Sequence, residues 1–166
     1  MPHAKADLIK RFLAALIDGL LAGAIAFVFG LFGTFMGGIG TLVGAAYVLA
    51  RDGLNHDLAD GRSIGKKVIG LRPLRLDGAP MTLETSVRRN WTLAAGSIVS
   101  GIGTLLVAMG PLALLGWPVV LLSGIVGLLG LVEAVLVLTD SEGRRLGDKM
   151  AGTQVIEEAS ETTPAM

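Results

Sequence analysis

Two scarcities in this sequence exclude whole classes of protein. The 166 residues include no cysteine and only one tyrosine and two tryptophans. A chain without thiols has no disulfide framework, no thiolate metal site and no cysteine nucleophile. It also lacks a net charge that would attract nucleic acid, because 14 basic residues balance 14 acidic ones. What remains is apolar: 52% of the residues are hydrophobic and the mean hydropathy is +0.67, values typical of a membrane protein.

Ionisable residues are absent from two long stretches, and these stretches predict the membrane spans. The first covers the 32 residues from Gly19 to Ala50, and the second covers the 42 residues from Trp91 to Val132. A helix needs about 20 apolar residues to cross the hydrocarbon core. Each stretch, the first extended back to Leu8, therefore has room for two crossings. We expect an all-α membrane protein, a four-transmembrane-helix bundle with helices at about 8–31, 34–50, 91–109 and 119–139.

The basic residues predict how this bundle is oriented. Eight of the 14 Lys and Arg residues lie in the segment 51–90, and the others lie near the two termini. Four crossings place all of these segments on one side of the membrane, which the positive-inside rule makes the cytoplasm. Both termini would then be cytoplasmic. A three-span arrangement would divide the basic segments between two sides.

Short strands are predicted in the polar parts of the chain. Residues Val68 to Leu76 are typical of a strand that enters an Asp-Gly turn, with 79–82 returning. A second short strand is expected at 153–156 and is able to pair with the first. Thr82 is placed to cap a helix that continues to Trp91 at headgroup level. We expect residues 1–156 to form a single membrane domain and 157–166 an acidic flexible tail.

Three stretches, in chain order, resemble the signatures of one family. Arg11, Ala14 and Asp18 are similar to the opening signature of the RDD family of bacterial membrane proteins, named for one arginine and two aspartates. The central stretch 61–71 (GRSIGKKVIGL) resembles that family's Gly-x-Ser/Thr-x-Gly-Lys pattern. The final stretch 145–155 (RLGDKMAGTQV) resembles its closing motif, in which Asp148 is the second aspartate.

The resemblance implies a location in the bacterial cytoplasmic (inner) membrane. Some members of the family have been associated with sodium/proton antiport, which implies monovalent cations and protons as ligands, and no cofactor is expected. The family commonly has histidine before the last aspartate, whereas this chain has Gly147. Any proton role of that histidine is therefore not carried over.

Charged residues inside the first and last predicted helices form the sharpest candidate site. Arg11 and Asp18 lie seven residues apart on the first helix, as Glu133 and Asp140 do on the last. If the two helices are antiparallel neighbours, Arg11 lies level with Asp140, and Asp18 lies level with Glu133. Two carboxyls in a dry site share a proton that a monovalent cation could replace, which is the exchange an antiporter needs. The alternative is a structural pairing of Arg11 with Asp18 or Asp148 in a scaffold or accessory subunit.

The remaining polar motifs favour no enzyme. Residues 61–67 lack the spacing of a nucleotide-binding loop, and no serine has a histidine and an acid at catalytic spacing. The polar residues 55–57 with Asp60 are more typical of a turn than of a metal site. We expect anionic headgroups of the bilayer to contact basic residues of the central segment. Small residues on the helices favour a homo-oligomer or a membrane-complex subunit. The headgroup candidates are Arg62, Lys66, Lys67, Arg88 and Arg89.

Overall fold

A computed structural model describes residues 5–54 and 60–158. Its elements follow one another as two long helices, a short helix and a strand, and then the same series again with the second long helix broken in two. In chain order they are α1 (Leu8–Gly30), α2 (Thr34–Ala50), α3 (Ile64–Ile69), β1 (Leu71–Arg75), α4 (Leu83–Ala108), α5 (Ala113–Gly127), α6 (Leu129–Thr139), α7 (Leu146–Met150) and β2 (Thr153–Glu157).

Three helical segments of the described residues are long and apolar enough to cross a membrane. They are α1, α4 and the continuous stretch Ala113–Thr139 that joins α5 and α6. The remaining predicted span, α2, is apolar but has only 17 residues. At 1.5 Å per residue it is roughly 26 Å long, slightly less than the hydrocarbon core. The four-span bundle therefore stays a prediction.

The predicted cap at Thr82 is confirmed: its side chain accepts a hydrogen bond from the Thr85 amide, and one helix runs from Leu83 through the predicted span at 91–109. The predicted start of the last helix at 119 was wrong. The turn before it is short, with Gly110 at φ +63°, and the helix begins at Ala113. Pro118 lies inside α5, a position that membrane helices tolerate when neighbours satisfy the freed carbonyl.

The two strands form one antiparallel pair, which confirms the predicted pairing of the two strand segments. Pro73 lies opposite Val155 at the centre of the ladder. The predicted return strand at 79–82 was wrong, because those residues form no strand and β2 occupies the place beside β1. Glu157, predicted to open the flexible tail, is the last residue of β2. Residues 159–166 lie outside the described part of the chain.

The chain is built from two similar halves. Residues 61–70 (GRSIGKKVIG) and 143–152 (GRRLGDKMAG) share glycines at the same three places, and each stretch contains a short helix that leads into a strand. The first and last of these glycines have positive φ in both copies, at 68° and 76° in one and 64° and 61° in the other. The shift that superposes the two stretches also superposes Pro73 on Val155, the central pair of the ladder. A two-fold axis through the strand pair thus relates the halves, as in membrane proteins with parallel repeats.

Small residues bring the long helices close together. α2 packs on both α1 and α4, and α4 also packs on α5. A Cβ added at Gly38 would lie 2.9 Å from the Leu105 side chain, and one at Gly101 would lie 2.7 Å from that of Leu42. Such close approach replaces the hydrophobic drive that packs helices in water. The α2–α4 junction between the halves is therefore closed.

Candidate functional site

Nine charged side chains meet at the end of the bundle where α1 and α4 begin and α2 and α6 end. Every one of these side chains is at most 11% exposed. Five are cations and four are carboxylates, so the cluster carries one surplus positive charge whenever Lys66 is protonated. We call it the ionic network; its members are Arg11, Asp18, Arg51, Asp52, Lys66, Arg89, Glu133, Arg145 and Asp148.

Asp18 is held by three donors from the first half of the chain. Its carboxylate accepts hydrogen bonds from the Tyr47 hydroxyl at 2.9 Å, from Arg51 Nη1 at 3.1 Å and from the Gly65 amide at 2.9 Å. None of these donors comes from the side of Glu133, and the predicted sharing of one site by Asp18 and Glu133 stays a prediction. Asp18 finds a nearer cation at the end of α2 and a free amide at the start of α3, and each compensates its burial.

Glu133 is held in the same way by the second half. Its Oε1 accepts hydrogen bonds from the Thr92 hydroxyl and from the Gly147 amide, the latter at 3.2 Å. Its Oε2 lies 4.0 Å from Arg145 Nε and forms no hydrogen bond with any residue that the structure describes. Glu133 is 2% exposed, so this oxygen is a buried acceptor with unused capacity.

Arg11 pairs with Asp148, at 3.3 Å from Nη2 to Oδ2, and also donates to the Gly143 carbonyl. The predicted level pairing with Asp140 was wrong, whereas the alternative with Asp148 is what the structure shows. Asp140 binds Lys149 instead, at 2.6 Å. Two hydrogen bonds from Lys149 and from the Arg144 amide lower the pKa of Asp140 to about 2.

Arg89 joins the two halves of the ionic network. It is fully buried and lies 3.5 Å from Asp52 and 2.9 Å from Asp148. Burial alone would raise the pKa of Asp148, but Arg89, Arg145 and Arg11 outweigh it and hold that pKa well below its usual range. Arg89 Nη1 has no acceptor among the described residues.

Lys66 is a cation of the ionic network whose charge is costly to bury. Its ammonium lies 2.7 Å from Asp52, yet burial lowers its pKa from 10.5 to about 7. Asp52 raises that pKa and the neighbouring Arg51 and Arg89 lower it further. The pKa of Asp52 is well below its usual range, because Lys66, Arg89 and Arg51 outweigh its burial.

Three of the five predicted headgroup candidates are buried instead of lying on the outer surface. They are Arg62, Lys66 and Arg89, and each lies close to at least one carboxylate. Arg62, for example, lies 2.6 Å from Glu158. Lys67 and Arg88 are exposed and stay candidates for headgroup contact. The predicted turn at 55–57 lies outside the described residues, and no group of metal-binding side chains occurs among the described ones.

The sequence analysis missed several polar residues in and beside the ionic network, although their positions at the ends of the charge-free stretches pointed to them. Arg51 and Asp52 directly follow the first charge-free stretch, while Asn90 directly precedes the second. Asn90 donates to Asp52 at 3.1 Å and accepts from Arg145 at 3.3 Å. Polar residues at the two inner ends of apolar runs must lie at one membrane surface, which would have brought them together. The repeated glycine pattern was a second unused signal.

Two glycines explain how short helices approach the buried carboxylates. A Cβ at Gly65 would lie 2.1 Å from the Ala14 carbonyl oxygen, and one at Gly147 would lie 1.9 Å from that of Arg89. No side chain fits at either position. The departure from histidine at Gly147 therefore has a structural reason: the backbone itself meets α4 there and donates to Glu133.

A cavity of about 330 Å³ lies between α1 and α6, above the ionic network. All five cations of the ionic network line it, but only two of the four carboxylates do, Asp18 and Glu133. The lining residues that are also exposed on the outer surface are all apolar. They are Phe12, Ala15, Ala134 and Leu138. The cavity thus has a cationic floor and an apolar mouth.

A second cavity, of about 380 Å³, lies next to the first one along α1. The two share Ala15, Arg51 and Leu93 in their walls. On α1 its wall consists of small residues as far as Ala26. We call this second cavity the α1 groove.

This arrangement defines a class: a helical membrane protein whose spans meet in a buried ionic network at one end. The model of the RDD family matches residues 5–152, and the chain belongs to that family. No curated protein and no solved structure matches the chain.

Proposed function

We propose that the protein is a small-solute carrier of the cytoplasmic membrane that binds its solute in the cavity between α1 and α6. Both termini and the ionic network lie on the cytoplasmic side in this proposal, as the positive-inside rule predicts. The observation that carries it is the cavity lining. Ionisable residues at membrane depth are retained mainly where they serve a pathway or pair with one another, and here seven of them face one space.

The charge of the lining favours an anionic solute. Five cations and two carboxylates face the cavity, and both carboxylates already accept hydrogen bonds from their own half of the chain. A negatively charged group entering this space would compensate the surplus positive charge at low dielectric constant.

Monovalent cation/proton antiport is the second candidate. It is favoured by the two carboxylates that line one cavity and by Glu133 Oε2, which forms no hydrogen bond among the described residues. A cation or a proton bound there would be repelled by the positive charge of the nearby arginines. The antiport prediction therefore needs a direct test.

A non-transporting scaffold is the third reading, and the outer parts of the helices favour it. The hydroxyls of Thr41, Thr104 and Ser123 donate to carbonyls of their own helices and so offer little to a passing solute. In such a scaffold the ionic network would simply fix how the spans pack.

Flux through proteoliposomes separates these readings. Under antiport, Asp18→Asn and Glu133→Gln would abolish proton flux that is driven by sodium or potassium. Under the proposal, wild-type protein carries an organic anion down an imposed gradient, and Arg145→Gln, which removes a cation from the cavity lining, abolishes that flux. Asp77→Asn, in an exposed turn, is the matched control and should retain it. Gel filtration and circular dichroism must show that each variant is folded.

Each outcome of this experiment favours one reading. Flux that depends on sodium or potassium instead of the anion would replace the proposal by antiport. Folded wild-type protein with neither flux would contradict transport and leave the scaffold.

A further inference from the structure

We propose that the cavity and the α1 groove together bind one anionic phospholipid, with its phosphate headgroup among the cations and an acyl chain along α1. This inference rests on the proposed function in taking the cavity as the ligand site, and it narrows the anionic solute to an amphiphile with a phosphate group. The two spaces are neighbours that share Ala15, Arg51 and Leu93 in their walls.

The floor of the cavity suits a phosphate headgroup. Arg89 lines the cavity and is fully buried, and its Nη1 donates to no described residue, so a positively charged group next to the cavity has an unused hydrogen-bond donor. Arginine pairs with phosphate oxygens through charge-assisted hydrogen bonds. Glu133 Oε2 is a buried acceptor beside it and would take a hydrogen bond from a headgroup hydroxyl. Basic pockets between membrane helices on the cytoplasmic side bind anionic headgroups in this manner.

The mouth of the cavity suits an amphiphile better than a water-soluble anion. Phe12 and Leu138 face outward at 65% and 63% exposure, at a depth where lipid surrounds the helices. A soluble anion would reach the arginines only past these apolar side chains. A lipid would present its headgroup inward while its chains remain in hydrocarbon.

The length of the α1 groove suits an acyl chain. It runs beside α1 from Ala15 to Ala26, which is roughly 16 Å at 1.5 Å per residue. That is about half of the 30 Å hydrocarbon core, the depth of one leaflet. A Cβ at Gly19 or Gly23 would meet no atom within 4 Å, so these positions open onto the groove instead of packing on α2.

Native mass spectrometry of the purified full chain tests the proposal by titration with phosphatidylglycerol, which has a phosphate and a hydroxyl-bearing headgroup. We expect one lipid to bind per chain. Phosphatidylcholine should bind at least about tenfold more weakly, a difference of about 1.4 kcal/mol. Soluble glycerol phosphate, which has the same headgroup and no acyl chain, should not compete at millimolar concentration.

Gly23→Leu fills the α1 groove and should weaken phosphatidylglycerol binding at least about tenfold. The matched control is Gly124→Leu, on α5 and outside both cavities, where a Cβ also meets nothing within 4 Å. It should bind like wild type. At the mouth, Ala134→Trp should weaken binding and the neighbouring exposed Val135→Trp should not.

Equal binding of phosphatidylcholine, equal loss in Gly124→Leu, or competition by glycerol phosphate would overturn the lipid assignment. Glycerol phosphate competition would assign the cavity to a soluble anion instead. The result is separable from the proposed function. Lipid binding without flux would remove the carrier and keep the lipid site, whereas anion flux without lipid binding would do the reverse.

Discussion

The two junctions between the halves of this chain differ although a two-fold axis relates the halves. α2 and α4 meet in close contact, with Gly38 and Gly101 each facing a leucine of the other helix. The corresponding junction, between α6 and α1, encloses the cavity. Small residues close the junction between α2 and α4. The junction between α6 and α1 stays open next to the charged side chains of the ionic network.

The two copies of the repeated stretch also differ in sequence and surroundings. The residue after the second glycine is Lys66 in the first copy and Asp148 in the second. The residue that each short helix approaches is Ala14 in the first copy and Arg89 in the second. α1 thus supplies a small residue at the place where α4 supplies a long cation.

The largest expected effect comes from replacing the middle glycine of the repeated stretch, which is Gly65 in the first copy and Gly147 in the second. Gly147→Ala and Gly65→Ala each place a methyl group within about 2 Å of a backbone carbonyl. Overpacking against backbone that cannot yield costs more than about 3 kcal/mol. We expect no folded protein from either variant, judged by gel filtration in detergent. Gly19→Ala is the control, because its Cβ meets nothing within 4 Å; a folded Gly147→Ala would show that the approach to α4 is not obligatory.

Asp148→Asn should have the next largest effect. It removes the negative charge that Arg11, Arg89 and Arg145 share. Breaking a buried ion pair by removing one partner costs about 3–5 kcal/mol, which unfolding titrations in denaturing detergent measure. Asp140→Asn breaks only a partly exposed pair and should cost about 0–1 kcal/mol. If both variants lost the same free energy of unfolding, the carboxylate that three arginines share would add no stability of its own.

The sequence predicted the spans and the strand pairing because both follow from composition and alternation along the chain. Arg11, Asp18 and Glu133 were recognisable as site residues because charge is rare within apolar runs. Which carboxylate pairs with which cation was not predictable. That choice depends on where Gly65 and Gly147 allow the short helices to approach, and spacing along one helix carries no information about a backbone contact from another element.

The pH dependence of stability should differ between the two copies of the repeated stretch, because the first has Lys66 where the second has Asp148. Because the folded-state pKa of Lys66 is lowered to about 7, the unfolded chain holds a proton that the folded chain lacks between about pH 7 and 10. Its contribution to stability therefore rises with pH in that window. The pKa of Asp148 is lowered, so its contribution is present at neutral pH and is lost in acid.

The measurement is the free energy of unfolding at pH 6.5, 8 and 9.5. Lys66→Met should remove the rise, while Lys67→Met, at the exposed neighbouring position, should keep it. A wild-type protein whose stability stays flat across this range, or a rise that survives in Lys66→Met, would show that Lys66 keeps its proton throughout.

The smallest expected effect concerns the spread of distances across each of the two junctions and leaves stability unchanged. Because the chain has no cysteine, spin labels can be introduced in pairs without altering the background. Labels at Phe12→Cys and Leu138→Cys span the open junction, and labels at Val43→Cys and Ile102→Cys, also at exposed sites, lie on the helices of the closed one.

Double electron–electron resonance should give a broader distance distribution across the open junction in delipidated protein, since no side chains interlock there. Adding phosphatidylglycerol should narrow that distribution and leave the closed pair unchanged. If both pairs respond alike, the lipid acts on the whole bundle; if neither does, the open junction is already rigid and its ionic floor alone sets the separation of α1 and α6.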